Sequence, residues 1–289
     1  MAVETQLLLG ILNGLVFGLV VALIALGLSL IFGLMGVVNL AHGELFMLGG
    51  IITWYVTNYF GGYYAALLLA PLLVGALGLG IERGVLRPLG YKPETTIIAT
   101  LGILFIIQHS VLILFGPAPR NITPPIDFLI QMPGFGYSGY RIIVAIAAFL
   151  LLLTTWSIVY KTNFGLFVRA CQQNREIATT MGVSVNRIYT LTFGLSSALA
   201  ALGAAISVPL FSVYYLAGLD VLIISFIVVI IGGLGSLRGT VLAAILIPTM
   251  EGVATAFVAP TEARIISLLL LVIVLVLRPH GLFGKKGVG

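Results

Sequence analysis

Between Val37 and Gly50 the chain reads VVNLAHGELFMLGG, and Asn39, His42 and Glu44 stand together there between two long apolar runs. A carboxamide, an imidazole and a carboxyl so close together could bind a polar solute, carry a proton or hold a metal. The metal reading fails on spacing. A His-Glu-x-x-His zinc site needs a second histidine one helical turn on, and the other two histidines, His109 and His280, lie in distant segments. No metal site is therefore expected. Gly33, Gly36 and Gly43 bracket the cluster and mark a break between two helices. In a bilayer such a break is tolerated only where protein or a water-lined cavity satisfies the backbone. Two roles follow for the three side chains. They cap and brace the second helix, Asn39 or His42 serving its first amides and Glu44 its positive end, or they line a polar route.

The surroundings of this cluster are set by composition. Of 289 residues, 60% are hydrophobic and only 8% charged, whereas soluble domains carry about 25% charged residues. Too little polar surface exists to coat a water-soluble globule, so the expected solvent is lipid. The first apolar run, Leu7–Phe32, has 26 residues and no charge; at about 1.5 Å per residue it crosses a hydrocarbon core of about 30 Å with some tilt. Its length and the runs that follow argue against a cleaved signal peptide. The single cysteine, Cys171, excludes an internal disulfide framework. No basic stripe points to nucleic acid, so the formal charge of +5 reads as Lys and Arg retained on the cytoplasmic side.

Further runs are Leu45–Phe60, Tyr63–Ile81, Thr96–Phe115, Ile142–Tyr160 and Ile188–Tyr214, then the shorter Val221–Leu234, Thr240–Val258 and Ile265–Leu277. The expected fold is all-α, a polytopic membrane protein with eight or nine crossings. Arg83, Arg87 and Lys92 lie in one connection, Lys161, Arg169, Arg175 and Arg187 in another, and Arg278, Lys285 and Lys286 at the end. Even numbers of crossings separate these three groups, so all can face the cytoplasm. The Gly116–Gly139 connection and the aromatic cluster from Trp54 to Tyr64 then fall outside. Gly10, Gly14 and Gly18 recur every four residues and predict a close helix contact.

Two other features bear on function. In LFVRACQQNREIATTMGV, Leu166, Ala170, Ile177 and Met181 share one helical face and Arg169, Gln172 and Glu176 another, which predicts a short amphipathic helix stopped at Gly182. Such a helix lies on a membrane surface or inserts into a partner's groove. His109, in IIQHSV, is expected to bond between helices. No phosphate-binding GxxxxGK[ST] loop occurs, so any nucleotide chemistry must come from another chain.

Four blocks, in order, resemble the membrane subunits of bacterial branched-chain amino acid ABC importers of the LivH type: GLSLIFGLMGVVNLAHGELFMLGG, RACQQNREIATTMGVSVNRIYTLTFGLSSALA, GGLGSLRGTVLAA and LRPHGLFGKK, spanning Leu7 to Lys286. The resemblance implies an importer permease fold, with a type II-like arrangement as one option. Residues 1–289 form a single transmembrane permease domain that includes a cytoplasmic coupling loop, 161–187. It implies that Arg169, Arg175, Glu176, Ala178, Met181 and Gly182 belong to a helix seated on an ATPase subunit. It places Asn39, His42 and Glu44 near the translocation route, with Gly232, Gly233 and Gly235 as a second break across it. The implied partners are a second homologous permease, for which Gly10, Gly14 and Gly18 offer one face, two cytoplasmic ATPase subunits, a periplasmic substrate-binding protein and membrane lipid. ATP and Mg would be bound by those ATPase subunits; the chain itself is expected to have no cofactor and no catalytic residues. The expected cargo is a branched-chain or other hydrophobic amino acid taken in across the bacterial inner membrane. Urea or short-chain amides are the alternative cargo, and a proton-coupled secondary transporter using Glu44 is the alternative of another class.

Overall fold

The computed structural model describes residues 3–132, 134–278 and 281–283; His280, Lys285, Lys286 and most of the RPHGLFGKK ending lie outside the described residues. Each of the nine apolar runs coincides with a helix: α1 Val3–Met35, α2 His42–Tyr59, α3 Gly62–Ile81, α4 Pro93–Phe115, α5 Gly139–Lys161, α8 Val185–Ser207, α9 Ala217–Gly232, α10 Leu237–Ala254 and α11 Pro260–Leu277. Two helices of the loop between α5 and α8, α6 Asn163–Gln173 and α7 Arg175–Thr180, complete the set. One run over-reaches its helix: Ile188–Tyr214 includes the turn after Ser207, the end of α8. Prolines at the first helical position start α4 and α11, where their missing amide costs nothing.

Of the nine helices that match the apolar runs, seven are long and apolar enough to cross a membrane alone, and α2 and α9 are not. Helix α1 is the axis. It packs against α10, α8, α5 and α9, and α8 in turn receives α3 and α2. Helices α4, α5 and α11 lie at the periphery and turn most of their side chains outward, as lipid-facing helices do.

The Gly10–Gly14–Gly18 stripe is what brings α1 onto α10. A Cβ on Gly14 would lie 2.5 Å from the Pro248 carbonyl oxygen, and one on Gly18 2.7 Å from that of Ala244; Gly10 meets Gly252 more tightly still. That face is therefore filled within the chain, and the expectation that it offers a surface to a second permease is corrected. The small residues were legible, but periodicity does not say which helix they receive.

In the Gly116–Gly139 connection the chain adds what the sequence did not suggest, a two-stranded antiparallel hairpin of β1 Leu129–Met132 and β2 Phe135–Ser138. The loop before it is tied down. Arg120 exchanges two backbone hydrogen bonds with Val213, at 2.8 and 2.9 Å, and its guanidinium covers the Trp54 ring at 4.7 Å. Deeper in, the Tyr63 and Tyr140 hydroxyls sit 2.7 Å apart and reach the carbonyls of Ala205 and Ile206. They join the outer ends of α3 and α5 to the end of α8.

Gly14→Leu should force α1 from α10 and cost about 1–3 kcal/mol by overpacking. Thermal unfolding in detergent should show a clear drop in melting temperature. Gly102→Leu, where the space beside the glycine is open, should leave the melt unchanged.

Candidate translocation and coupling site

The first break occupies residues 36–41; Gly36 is exposed at its start, while Val37, Asn39 and Ala41 are buried. Asn39, His42 and Glu44 are fully buried. The Asn39 side-chain oxygen accepts a hydrogen bond from the Ala41 amide at 3.1 Å, satisfying one of the free donors at the start of α2. His42 Nε2 lies 3.0 Å from the Ile24 carbonyl oxygen of α1. Thr100 of α4 accepts from the Leu40 amide and stands 3.3 Å from the Val38 oxygen. Ile24 is eleven residues before Met35, the end of α1. At about 1.5 Å per residue the anchor point of His42 is roughly 16 Å back along that helix. The connection thus climbs beside α1, and α2 starts within the bundle.

The start of α9 meets it there. A Cβ on Gly43 would strike the Gly218 carbonyl, and one on Gly218 would lie 2.6 Å from the Glu44 carboxyl carbon. Two helix N-termini therefore converge beside one carboxyl group, and their positive ends favour negative charge at that point. Neither Glu44 oxygen has a hydrogen-bond partner, and the outer amide or ring nitrogens of Asn39 and His42 have none either. Gln108 Nε2 is a further unpartnered buried donor. It lies one turn above Leu104, which packs with Ala41 and Leu222. The sequence singled out the neighbouring residue instead. His109 is exposed and lies 2.9 Å from the Phe105 carbonyl of its own helix, so its expected interhelical role is corrected. One-residue shifts of this kind follow from helix rotation, which an all-round apolar helix conceals.

The second break lies between α9 and α10. Gly233 and Gly235 have φ of 102° and 77°, values that side chains rarely adopt. Gly232 packs on Gly239, and a Cβ on Gly33 of α1 would lie 3.0 Å from the Gly235 Cα. Ser236 caps α10 by accepting from the Gly239 amide at 3.3 Å. Amides of Leu282 and Phe283 bond the carbonyls of Ile231 and Gly232. The structure thus brings this break to the end of α1, three residues before Gly36, and to the coupling loop, where Gln172 Nε2 reaches the Gly235 oxygen at 3.4 Å.

The loop 161–187 holds two helices where one was expected. Asn174 leaves helical geometry with φ −158° and ψ 111°, and its side chain accepts from the Ile177 amide at 2.9 Å. A side chain that caps a new helix competes with continuation of the old one. The register shift changes which residues face inward. Val168, Cys171 and Ala178 are buried, while Leu166, Ile177 and Met181 are 53%, 61% and 80% exposed. Gly182 then stops α7 at φ 83°. Glu176 is exposed, but Arg169 folds back across the Tyr160 ring at 5.4 Å and donates to the Val159 carbonyl.

Arg175 opens α7 and rests on two rings, Tyr91 at 5.7 Å and Tyr189 at 5.5 Å, which meet edge to face at 4.9 Å. Beneath them lies an ion pair that the sequence reading missed. After α3 the backbone makes a π-helical turn, Glu82–Leu86, a distortion common at functional positions. It turns the fully buried Glu82 to Arg87 at 3.0 Å. Tyr91 donates to the same carboxylate, and Arg87 donates also to the Thr190 hydroxyl and the Asn186 carbonyl. Burial, then the Glu82 carboxylate, hold the Tyr91 hydroxyl above its ordinary pKa, so it remains a donor. The signal available was a Glu and an Arg five apart at the end of a span.

A family model described as branched-chain amino acid transport system / permease component matches residues 10–275. The chain belongs to this family. Among its relatives are the high-affinity branched-chain amino acid transport permease proteins BraD of Pseudomonas aeruginosa, 27% identical over 96% of this chain and 95% of the relative, and LivH of Escherichia coli K12, 26% identical over the same shares. A probable LivH of Methanocaldococcus jannaschii is 28% identical over 94% of this chain and 91% of its own length. No solved structure matches the chain significantly.

As a transport permease with many apolar helices, the protein is a multi-pass protein of the inner membrane. Membership in such a transport system also implies an ATPase and a substrate-binding protein as partners. In this permease the Glu82–Arg87 pair should be a structural requirement. Arg87→Ala should destabilise by about 2 kcal/mol, less than a fully enclosed pair because Arg87 is partly solvated. Glu82→Gln, which keeps hydrogen bonds to Tyr91 and Arg87, should cost less in thermal melts.

Proposed function

We propose that the protein is the membrane subunit of an ABC importer that carries branched-chain or other hydrophobic amino acids into the cytoplasm. Its partners are a second, homologous permease, two ATPase subunits that hold ATP and Mg, and a periplasmic binding protein. The observation that carries this reading is the exposed apolar surface of the coupling loop. Leu166, Ile177 and Met181 stand free on a cytoplasmic segment, and Arg175 of the same segment rests directly on the membrane domain. The names and near-complete coverage of the relatives support the cargo class. The chain works as a single permease domain without cofactor or catalysis of its own.

In this reading ATP binding draws the coupling loops of two permeases together. Displacement of α7 passes through Arg175 to Tyr91 and Tyr189, and so to α8 and the turn after α3. The breaks at 36–41 and 233–236 absorb the change because they already lack helical backbone bonds. Glu44 carries carboxyl oxygens with free lone pairs, able to accept from the ammonium of a passing amino acid. Asn39, His42, Gly232, Gly233 and Gly235 hold the breaks on either side.

Purification of the tagged chain in mild detergent should bring two ATPase subunits and a second permease with it, identified by mass spectrometry. A lone chain that moves solute on a pH gradient would overturn the proposal in favour of a proton-coupled carrier. In reconstituted vesicles, Glu44→Gln should lower amino acid uptake at least tenfold while ATPase subunits remain bound. Glu176→Arg and Gly182→Leu should leave ATP hydrolysis but uncouple it from uptake.

A further inference from the structure

Helices α5 and α10 both pack on α1, and between them lies a cleft of about 360 Å³. Its lining is apolar, from Leu19 and Leu26 on α1, Phe149 and Leu152 on α5 and Val241 on α10, with one charged residue, Arg238. Arg238 is in the first turn of α10, just after the break that touches Gln172 of the coupling loop. The charged end of the cleft is therefore at the cytoplasmic side. There the Arg238 guanidinium lies over Trp156 at 5.5 Å, Trp156 stacks on Tyr160 at 4.2 Å, and Arg169 covers Tyr160 at 5.4 Å. Two cations thus flank a pair of stacked rings, with Lys161 next in sequence.

A guanidinium lying on a ring keeps its N–H edge free for an oxyanion. Among the described residues Arg238 has no carboxylate partner, whereas Arg169 already donates to the Val159 carbonyl. We propose that this cleft binds one anionic phospholipid of the cytoplasmic leaflet, an acyl chain lying along α1 between α5 and α10 and the phosphate held at Arg238. Charge and shape both select that occupant. The cleft opens sideways, toward hydrocarbon, between helices whose Phe149, Leu153 and Leu242 are exposed, and its cations sit at headgroup depth beside an indole suited to that layer. The inference goes beyond the transport reading and does not depend on the cargo.

The test is native mass spectrometry of the purified transporter assembly, exposed in detergent to phosphatidylglycerol and phosphatidylcholine of identical acyl chains. Wild type should retain phosphatidylglycerol in preference. Arg238→Gln should cut that preference roughly fivefold, the size expected for one cation at an anionic membrane surface, Arg238→Lys should keep most of it, and Arg83→Gln, a cytoplasmic-side cation outside the cleft, should leave it intact. Equal retention of the two lipids by wild type would overturn the proposal without reference to any variant. So would an equal loss in the Arg238→Gln and Arg83→Gln proteins, or a photocross-linker at Leu153 that captures another polypeptide in place of lipid.

Discussion

A backbone amide in hydrocarbon has no water to bond, so every departure from helix inside the membrane must be enclosed by protein. That constraint organises this permease. Its two breaks, 36–41 and 233–236, both lie against the C-terminal half of α1, the most enclosed of its membrane-length helices. The freed groups are met one by one: Ala41 by Asn39, Leu40 by Thr100, Gly239 by Ser236, Ile231 and Gly232 by the segment at 281–283. The glycine stripe on α1 serves the same end. It draws α10 close enough that no lipid intervenes where the chain turns.

Satisfaction of the backbone contrasts with the side chains left over. Glu44, His42, Asn39 and Gln108 each retain buried polar atoms without partners, and leaving such atoms unmade is costly. Polar groups of this kind persist inside a membrane chiefly at functional positions. The cytoplasmic cluster behaves differently. Glu82, Arg87, Tyr91 and Thr190 saturate one another, and they form a rigid bed for Arg175. A fixed bed under the coupling loop and an unsaturated centre within the bundle is a sensible division of labour for a transporter.

Much of this was legible in the sequence. Long apolar runs announce membrane helices with little ambiguity because lipid admits few other structures, and Tyr63–Ile81 differs from α3 by a single residue. The polar break was marked by glycines and by residues too expensive to be incidental. What could not be read was rotation and pairing. A helix apolar on every side does not say whether Gln108 or His109 faces inward, nor that Gly10, Gly14 and Gly18 receive α10. The amphipathic pattern across Leu166–Met181 was legible, yet Asn174 divides it by capping a second helix, and Leu166, Ile177 and Met181 all stay exposed.

The Tyr63–Tyr140 contact has a mechanical corollary. By tying the outer ends of α3 and α5 to the end of α8 it makes a fixed pivot on the external side, while the cytoplasmic ends of those helices meet through a loop. Helix α5 is a 23-residue lever arm, about 34 Å at 1.5 Å per residue, so a tilt of about 10° at the pivot swings its inner end by roughly 6 Å. A small rotation at the coupling loop is thus matched to a displacement of several ångströms at the inner end of α5, while its tied outer end stays almost still.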